Sequence, residues 1–414
     1  MNKYCFILGN NPALSLAEIF QRDITLKSNF KVIDITDQSL IIEQNDLDIK
    51  NWQAQLGGVI KIGTITGSFD SFDEIVSFLE NSANVQLLFR QRTKKIVFGL
   101  SLYGQESNNK NKSILNQLGF SIKKTMTARG MKSRFIKSVA GQISSVQAQK
   151  HKLIERGADI LIISGSNKYY LGTTESIQDF EDYSFRDFDR PKRDAVSGML
   201  PPKVAKIMIN LAGATAEDTL LDPFCGSGTI LQEAALMGIQ NITGSDNSKK
   251  AINNTKQNFK WLSKEYKLDS LKLNLIESDA ITLDQKIPTS STDIIVTEPY
   301  LGPPIRKKPS QIKMEDLVHE LETLYVKTFH TLTKITKPTA RVVIIFPLFK
   351  TDYGTYTLRI LETLASIGWH RLNPFPAHIP KNSNIGPTAR GSVIYRRPGQ
   401  KIEREIFIFQ RKKS

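Results

Sequence analysis

The residues that promise chemistry are acids and glycines placed where strands should end. In Asp222-Pro-Phe-Cys-Gly-Ser-Gly-Thr229, an acid and a glycine loop stand between a predicted strand, 219–222, and a predicted helix, 229–237. In an open α/β sheet that junction is the ligand crevice. Gly226 and Gly228 allow a tight turn and a close approach of backbone to ligand. Asp222 suits a cationic amine. The third glycine of a dinucleotide fingerprint is missing, and no Lys-Ser/Thr follows as a phosphate loop requires. The second predicted strand ends in Asp246, followed by Asn247, where a carboxylate accepts the two ribose hydroxyls of a nucleoside. Ser278-Asp279-Ala280 follows the third, where an acid accepts an adenine amino group. Each acid alone would read as a cap or turn residue, and Gly-Ser-Gly alone as a turn. Three acids at successive strand ends beside one glycine loop predict a nucleoside cleft. Cys225, Thr229, Asn247 and Ala280 are candidates to line it.

The fourth predicted strand, 293–297, runs into Thr297-Glu298-Pro299-Tyr300-Leu-Gly-Pro-Pro304. Proline fixes φ and leaves nearby carbonyls unpaired. A carboxylate and a free carbonyl beside the cleft accept both hydrogens of an aryl amine, and an aromatic ring stacks on the base, a contact worth about 1–3 kcal/mol in single-strand binders. Such a site takes a base out of its stack or meets it already unpaired. Glu298, Pro299 and Tyr300 are therefore the candidate catalytic residues. Cys225 is the obvious nucleophile by type, but its place in the glycine loop predicts packing instead.

These residues need a sheet to position them. From residue 198 onward, strands at 219–222, 241–246, 271–276, 293–297 and 341–346 alternate with helical patterns, which predicts a doubly wound, mostly parallel α/β sheet. Segments 392–395 and 405–409 flank Pro398-Gly399 and predict a closing antiparallel hairpin. Upstream, residues 1–62 and 63–176 read as two small α+β units, joined to the rest by a connector at 177–197. In them we expect a helix at 14–20 capped by Ser15 and a helix ending at Leu118 with Gly119 as its stop. A further helix is expected at 144–155, stopped by Gly157.

The 414-residue chain carries a formal net charge of +15, with 40% hydrophobic and 23% charged residues, a globular composition with room for more than one core. Between Arg90 and Arg156 there are 15 Lys/Arg against two acids, so +13 of the excess sits in one stretch. The plain alternative is a solvated face; the concentration favours a phosphate-binding surface. Its candidate contacts are Lys94, Lys95, Lys123, Lys124, Arg129, Lys132, Arg134 and Lys137. Two distant cysteines make no disulfide framework, and the five histidines form no paired metal motif. No apolar run reaches the ~18 residues of a membrane helix, and the apolar stretch 4–8 is too short for a signal peptide. A cytoplasmic protein without a metal or a membrane partner is expected.

Taken together, these blocks resemble the THUMP-containing tRNA guanine-N2 methyltransferases, which act on position 10 of tRNA in archaea and eukaryotes. The resemblance rests on Ile7-Leu-Gly-Asn-Asn-Pro-Ala-Leu-Ser-Leu-Ala-Glu-Ile19 and Leu56-Gly-Gly-Val-Ile-Lys-Ile62, similar to the family's ferredoxin-like domain. It rests also on Phe98-Gly-Leu-Ser-Leu-Tyr-Gly104 and Ile143-Ser-Ser-Val-Gln147 in the THUMP region, and on the glycine loop. The most specific block is Arg186-Asp-Phe-Asp-Arg-Pro-Lys-Arg-Asp-Ala-Val-Ser-Gly-Met-Leu-Pro-Pro-Lys203. The resemblance implies a Rossmann-like class I methyltransferase domain at 198–414, a ferredoxin-like domain at 1–62 and a THUMP domain at 63–176. It implies S-adenosylmethionine as cofactor, with Asp222, Gly226 and Gly228 at its methionine end, Asp246 at the ribose and Asp279 at the adenine. Met199, Leu200 and Pro201 would wall the pocket. It implies tRNA as partner, gripped by the basic stretch, and leaves room for a small activating subunit, as in eukaryotic members. The implied reaction is in-line transfer from the sulfonium to guanine N2, with Glu298 and a neighbouring carbonyl aiming the nitrogen lone pair; positioning supplies several kcal/mol of such a barrier.

The family's catalytic motif reads Asp-Pro-Pro-Tyr or a close variant. Here Glu298 aligns with the Asp and Pro299 with the first Pro, while Tyr300 falls on the second Pro and Leu301 on the aromatic position. With a shift, Tyr300 serves as the ring. Two rival readings follow: a DNA adenine-N6 or cytosine-N4 amino-methyltransferase, and an RNA-binding relative without catalysis.

Overall fold

A computed structural model of the chain describes residues 1–89, 95–104, 109–138, 140–193, 199–268, 271–303, 310–377, 379, 385–397, 399–400 and 402–412. The chain forms two compact units: residues 1–12, 29–55 and 59–180 make one, and residues 13–28, 56–58 and 181–414 the other.

The first unit is built on β1 (Asn2–Leu8), β2 (Lys31–Ile35), β3 (Ser39–Gln44), β4 (Val59–Phe69), β5 (Ile96–Tyr103), β6 (Ser133–Ile136), β7 (Gly157–Ser164) and β8 (Tyr169–Ile177), in the order β2-β3-β1-β4-β8-β7-β5-β6. The border expected at 62/63 falls within β4, which pairs antiparallel with β1 on one side and β8 on the other. β5 is buried along its whole length, as its apolar run Ile-Val-Phe-Gly-Leu demands.

A buried ion pair lies inside this unit. Lys61, 1% exposed, donates from Nζ to the Asp159 carboxylate at 2.6 Å and to the Ile143 carbonyl at 2.6 Å. Asp159 also accepts from the hydroxyls of Ser101 at 2.7 Å and Thr174 at 2.8 Å, and Ser101 in turn accepts from the Ile143 N–H at 2.9 Å. Two ammonium protons and both carboxylate oxygens of the pair are thereby bonded, and such added hydrogen bonds are the condition under which a buried ion pair is tolerated. Burial works most strongly against the Lys61 charge, but Asp159 and Tyr103 together outweigh it and hold the lysine pKa above its ordinary value.

Three local expectations are corrected. Ser15 does not cap a helix: the helix runs from Pro12 to Leu26, started by a proline in its first turn, and the Ser15 hydroxyl donates to the Gly58 carbonyl at 2.7 Å. Gly119 stops nothing. The helix Asn109–Ala128 runs through it, and a Cβ there would stand 2.2 Å from the Phe135 ring, so the glycine serves close packing. The helix expected at 144–155 breaks in two at Lys152, whose φ is 51°.

The second unit carries β9 (Thr219–Asp222), β10 (Asn241–Asp246), β11 (Lys272–Glu277), β12 (Thr292–Thr297), β13 (Thr336–Thr351), β14 (Gly354–Thr357), β15 (Trp369–Leu372), β16 (Val393–Tyr395) and β17 (Ile402–Arg411). The order is β11-β10-β9-β12-β13-β17-β15, with β14 on β13 and β16 on β17. β9 to β13 are parallel; β17 runs antiparallel to β13, β15 and β16, the closing antiparallel arrangement that the sequence predicts. The chain builds outward from β9 through β10 to β11, then returns to the other side of β9 with β12. That reversal is the topological switch point, where such sheets bind ligands.

Long helix Gln311–Ile335 covers one face of the sheet, burying Leu321, Tyr325, Phe329 and Leu332 among Phe346, Phe407 and Phe409. Phe329 meets Trp369 and Phe409 edge-on at 5.7 and 5.5 Å, the geometry aromatic quadrupoles favour. The helix Pro12–Leu26 belongs to this unit. Buried Glu18 accepts from the N–H groups of Gly57 and Gly58, both at 2.8 Å, and from Asn210 at 2.7 Å. Among the described residues, no helix is long and apolar enough to cross a membrane.

Candidate active site

The switch point sets two carboxylates at the ends of neighbouring strands: Asp222 ends β9, and Glu298 follows β12. Asp222 is 1% exposed. Its Oδ1 accepts from the Thr297 hydroxyl at 2.7 Å and from the Phe224 N–H at 3.1 Å. Among the described residues no basic group lies within ion-pair distance of it. Burial pushes its pKa up to about 7, with the charges of Asp246 and Glu298 adding to the effect and the two hydrogen bonds opposing it.

The glycine loop turns between β9 and the helix Thr229–Leu236 through two left-handed residues, Gly226 (φ 52°) and Gly228 (φ 84°). A Cβ at Gly228 would stand 2.7 Å from Thr255, whereas one at Gly226 would meet nothing within 4 Å. Gly228 is therefore fixed by packing, and Gly226 borders open space. Asp246 fastens the loop: its two oxygens accept from the N–H groups of Gly226 at 3.0 Å and Ser248 at 2.9 Å. Asp279 is exposed and caps the short 3-10 helix Ala280–Gln285 through the Ile281 N–H at 3.1 Å, beside buried Ala280. Asn247 is exposed next to Asp246. Since β9, β10 and β11 are adjacent, the three acids do stand at one end of neighbouring parallel strands. A buried acid without a cation, an open glycine and two further acids in a row fit a nucleoside with a cationic tail.

Other candidates have mixed roles. Cys225 is 5% exposed, with its N–H on the Ser245 carbonyl at 2.8 Å; burial holds its thiol pKa well above the ordinary value, so no thiolate nucleophile is on offer. The Thr229 hydroxyl accepts from Arg190 at 2.7 Å and is thus taken up by the connector. The Met199 sulfur lies 3.7 Å from the Ser227 hydroxyl, and Leu200 and Pro201 are buried where the helix Pro202–Leu211 begins.

The connector is not a plain linker. It contains a helix, Phe180–Ser184, and a π-helical turn, Phe185–Asp189. Arg186 is 3% exposed and grips Glu233 of the glycine-loop helix, Nε to Oε1 at 2.6 Å, and also Asp182. Lys192 exchanges backbone bonds with the Asn258 side chain, which also donates to the Ser227 carbonyl at 2.9 Å. The Arg186-to-Lys203 block thus braces the glycine loop from behind; residues 194–198 of it lie outside the described residues.

Glu298 sits on the other side of the switch point. Its Oε1 accepts from Arg404 Nε of β17 at 2.5 Å. Burial raises the Glu298 pKa and Arg404 counters it. Pro299 is buried. Tyr300 is 48% exposed, and its carbonyl accepts from the hydroxyl of buried Tyr325 at 3.1 Å. Its ring therefore faces solvent at the mouth of the crevice while its backbone is anchored.

The basic candidates lie in the first unit, where Lys95, Lys123, Lys124, Arg129, Lys132, Arg134 and Lys137 are all exposed; Lys94 lies outside the described residues. Lys123 and Lys124 ride the helix Asn109–Ala128, Arg134 is on edge strand β6, and the Lys137 ammonium stands 5.0 Å from the ring of Phe120, itself 49% exposed.

Arg404, Thr297, Tyr325 and Asn258 were not singled out from sequence as site residues. A signal existed for Arg404: Glu403-Arg404-Glu405 puts three consecutive charges beside the apolar run Ile406-Phe-Ile-Phe409, which is rare in a buried strand unless each is paired.

The Asp222 environment carries a pH prediction. A carboxyl whose folded pKa is raised favours the fold when protonated. That contribution is intact below about pH 4 and lost as pH rises through about 7. A ligand ammonium reverses the preference. Binding of S-adenosylhomocysteine is therefore expected to expel close to one proton below pH 7, with affinity falling about tenfold per unit below about pH 6. Calorimetry in two buffers of different ionisation enthalpy reads this, and a pH-independent affinity without proton release would remove Asp222 from the ligand's amine.

Comparison with known proteins agrees with this geometry. Residues 190–351 match the family model UPF0020, RMKL-like, methyltransferase domain. A stretch of 107 residues, 25% of this chain, is 39% identical to the tRNA (guanine(10)-N2)-dimethyltransferase of Methanothermobacter thermautotrophicus and covers 28% of it. Over 191 residues, 45% of this chain, identity to the enzyme of that name from Methanocaldococcus jannaschii is 26%, covering 53% of it. The chain thus spans about half, or less, of the length of the curated relatives it matches. Among solved structures, TrmN from Thermus thermophilus aligns over 99% of both chains with a TM-score of 0.55 at 14% identity. SMU.472, solved in complex with SAH, aligns over 100% of this chain and 98% of its own with a TM-score of 0.51 at 13% identity. At such identities the likeness is one of fold: an N-terminal α+β part and a Rossmann-like methyltransferase sheet.

Proposed function

We propose that this chain, whose residues 190–351 match the UPF0020 methyltransferase-domain model, transfers a methyl group from S-adenosylmethionine to the N2 amino group of a guanine in tRNA, in the cytoplasm. The observation that carries the reading is the pairing across the switch point: a buried acid without a cation at Asp222, and a second carboxylate, Glu298, at the tip of the adjacent strand. The relatives' names supply the substrate class.

The sulfonium supplies an electrophilic methyl carbon; the residues supply the rest. Asp222 meets the amine of the methionine end, Asp246 the ribose and Asp279 the adenine, with Gly226 and Gly228 letting the backbone come close. Met199, Leu200 and Pro201 wall the pocket. Glu298 accepts one hydrogen of the guanine amine. The Tyr300 carbonyl is already bonded to Tyr325, so the second acceptor is the Pro299 carbonyl. Two such bonds localise the nitrogen lone pair and aim it, and the Tyr300 ring stacks on the base. The proton that the nitrogen sheds passes to the free oxygen of Glu298 and then to water. Residues 1–62 and 63–176 serve as the ferredoxin-like and THUMP modules, and Lys95, Lys123, Lys124, Arg129, Lys132, Arg134 and Lys137 meet RNA phosphates.

Incubation with unmodified tRNA and labelled S-adenosylmethionine, followed by nucleoside digestion, tests this. Label in N2-methylguanosine or its dimethyl form supports it. Label on another nucleoside, or on duplex DNA instead, moves the target. No label, with cofactor and tRNA both bound, directs the search to a small activating subunit.

A further inference from the structure

We propose that Arg404 is a positioning residue for methyl transfer: it holds Oε1 of Glu298 so that the carboxylate presents Oε2 to the exocyclic amine. The inference rests on the function proposed above and assigns a role to a residue on β17, a strand that supplies none of the cleft acids.

The sheet is open where this happens. β12 pairs with β13 as far as Thr297 opposite Ile344, and β14 takes up that side of β13 again from Leu348. Residues 345–347 of β13 therefore have a strand partner on the β17 side alone, where Pro347 stands opposite Arg404. Proline, with no N–H to offer, suits such a gap. Glu298, leaving the tip of β12, meets the Arg404 side chain here, Nε to Oε1 at 2.5 Å.

The neighbours of Arg404 do not compete with Glu298 for the guanidinium. Successive strand residues point to opposite faces. Glu403 is held by Lys350 at 2.7 Å and Arg396 at 3.0 Å, and Glu405 by Arg390 at 2.6 Å and Ser392 at 2.7 Å. Among the described residues Glu298 is the only carboxylate within ion-pair distance of Arg404. Both side chains are largely covered, 14% and 9% exposed, so the pair feels less solvent screening than a surface bridge. The charged and titratable groups facing Glu298 are Arg404 from β17, Asp222 from β9 and Tyr325 from the covering helix; of these only Arg404 is a cation. A shorter side chain at 298 would draw back by about 1.5 Å and fall short of the guanidinium. The glutamate and the arginine therefore work as a matched pair.

The test uses the full-length protein with Arg404→Gln and Arg404→Lys, each checked for folding by circular dichroism. Two quantities are read: single-turnover methyl transfer from pH 6 to 9.5, and the carbon-13 carboxyl titration of Glu298 without substrate, assigned by difference from Glu298→Gln. Arg404→Gln is expected to raise the Glu298 titration by about one unit or more and to lower the neutral-pH rate about tenfold or more, with recovery as pH rises. Arg404→Lys should restore most of the rate, with S-adenosylhomocysteine affinity unchanged in both. An Arg404→Gln loss equal at every pH, or a Glu298 titration that does not move, overturns the assignment. If the parent protein methylates no nucleoside and binds neither cofactor nor tRNA, the functional reading fails, while the carbon-13 titration still decides whether Arg404 governs Glu298.

Discussion

Glu298→Gln is expected to lower kcat for methyl transfer by about 10²–10³-fold, the range seen when one aimed hydrogen bond is removed from a transition state. The substitution keeps shape and volume. The glutamine carbonyl oxygen takes over the bond from Arg404. What it then turns toward the substrate is an NH2 group, so the amine nitrogen faces a donor where it needs an acceptor. KM for tRNA should change little, because the proposed phosphate contacts are made by other residues. Cofactor affinity should hold or improve, since the Glu298 charge helps to raise the pKa of Asp222 and its removal favours the ionised form. Single-turnover rates with saturating cofactor, beside calorimetric affinities, separate these. A variant that keeps its rate, or that loses rate only through weaker cofactor binding, rules out Glu298 as the group that aims the amine.

The second large effect is on stability. Lys61→Met removes the cation from a fully buried pair and leaves Asp159 with the hydroxyls of Ser101 and Thr174 but no charge partner. Breaking such a pair from one side costs about 3–5 kcal/mol. Urea unfolding of the first unit should shift accordingly. The double variant Lys61→Met/Asp159→Asn should recover part of the loss, because the amide oxygen still accepts from a hydroxyl and no bare charge remains. An unfolding midpoint unchanged by Lys61→Met would mean that the carboxylate is hydrated and the interior less dry than the packing around it implies. The stability that comes from the raised lysine pKa is fully present below the ordinary lysine pKa and is lost only as pH rises through the raised value.

The catalytic half was readable because parallel sheets advertise themselves. Apolar runs such as Leu220-Leu221, which ends in Asp222, and 342–346, which ends in Pro347, mark the strands, and each predicted strand is present within a few residues. The glycine loop was legible for the same reason, since Gly226 and Gly228 take the left-handed conformations that their type permits. What could not be read were partners supplied from afar in sequence. Arg404 reaches Glu298 across more than a hundred residues, and Thr229 is claimed by Arg190. Local signals misled where packing overrode them. Ser15 and Gly119 have the right types for helix ends, but both sit inside helices, one bonded to a neighbouring loop and the other pressed on a ring. The basic stretch was legible as charge; the exposed Phe120 beneath Lys137 was not, because periodicity alone does not separate a core aromatic from a surface one.

The helix Pro12–Leu26 lies far in sequence from the rest of the second unit. Residues 13–28 and 56–58 belong to that unit, with 29–55 and 59–180 intervening. During synthesis at about 5–20 residues per second, the helix leaves the ribosome on the order of ten seconds before the first strand of its own sheet. Until then Leu16, Ile19 and Phe20, all buried in the finished fold, lack the sheet of their own unit. For the same reason the catalytic half is not a portable cassette. A gene cut near codon 181 would encode the sheet and its cleft but leave Asn210 facing the place where Glu18 should be. A recombination event or a protein engineer moving this activity elsewhere would have to carry the first sixty residues with it.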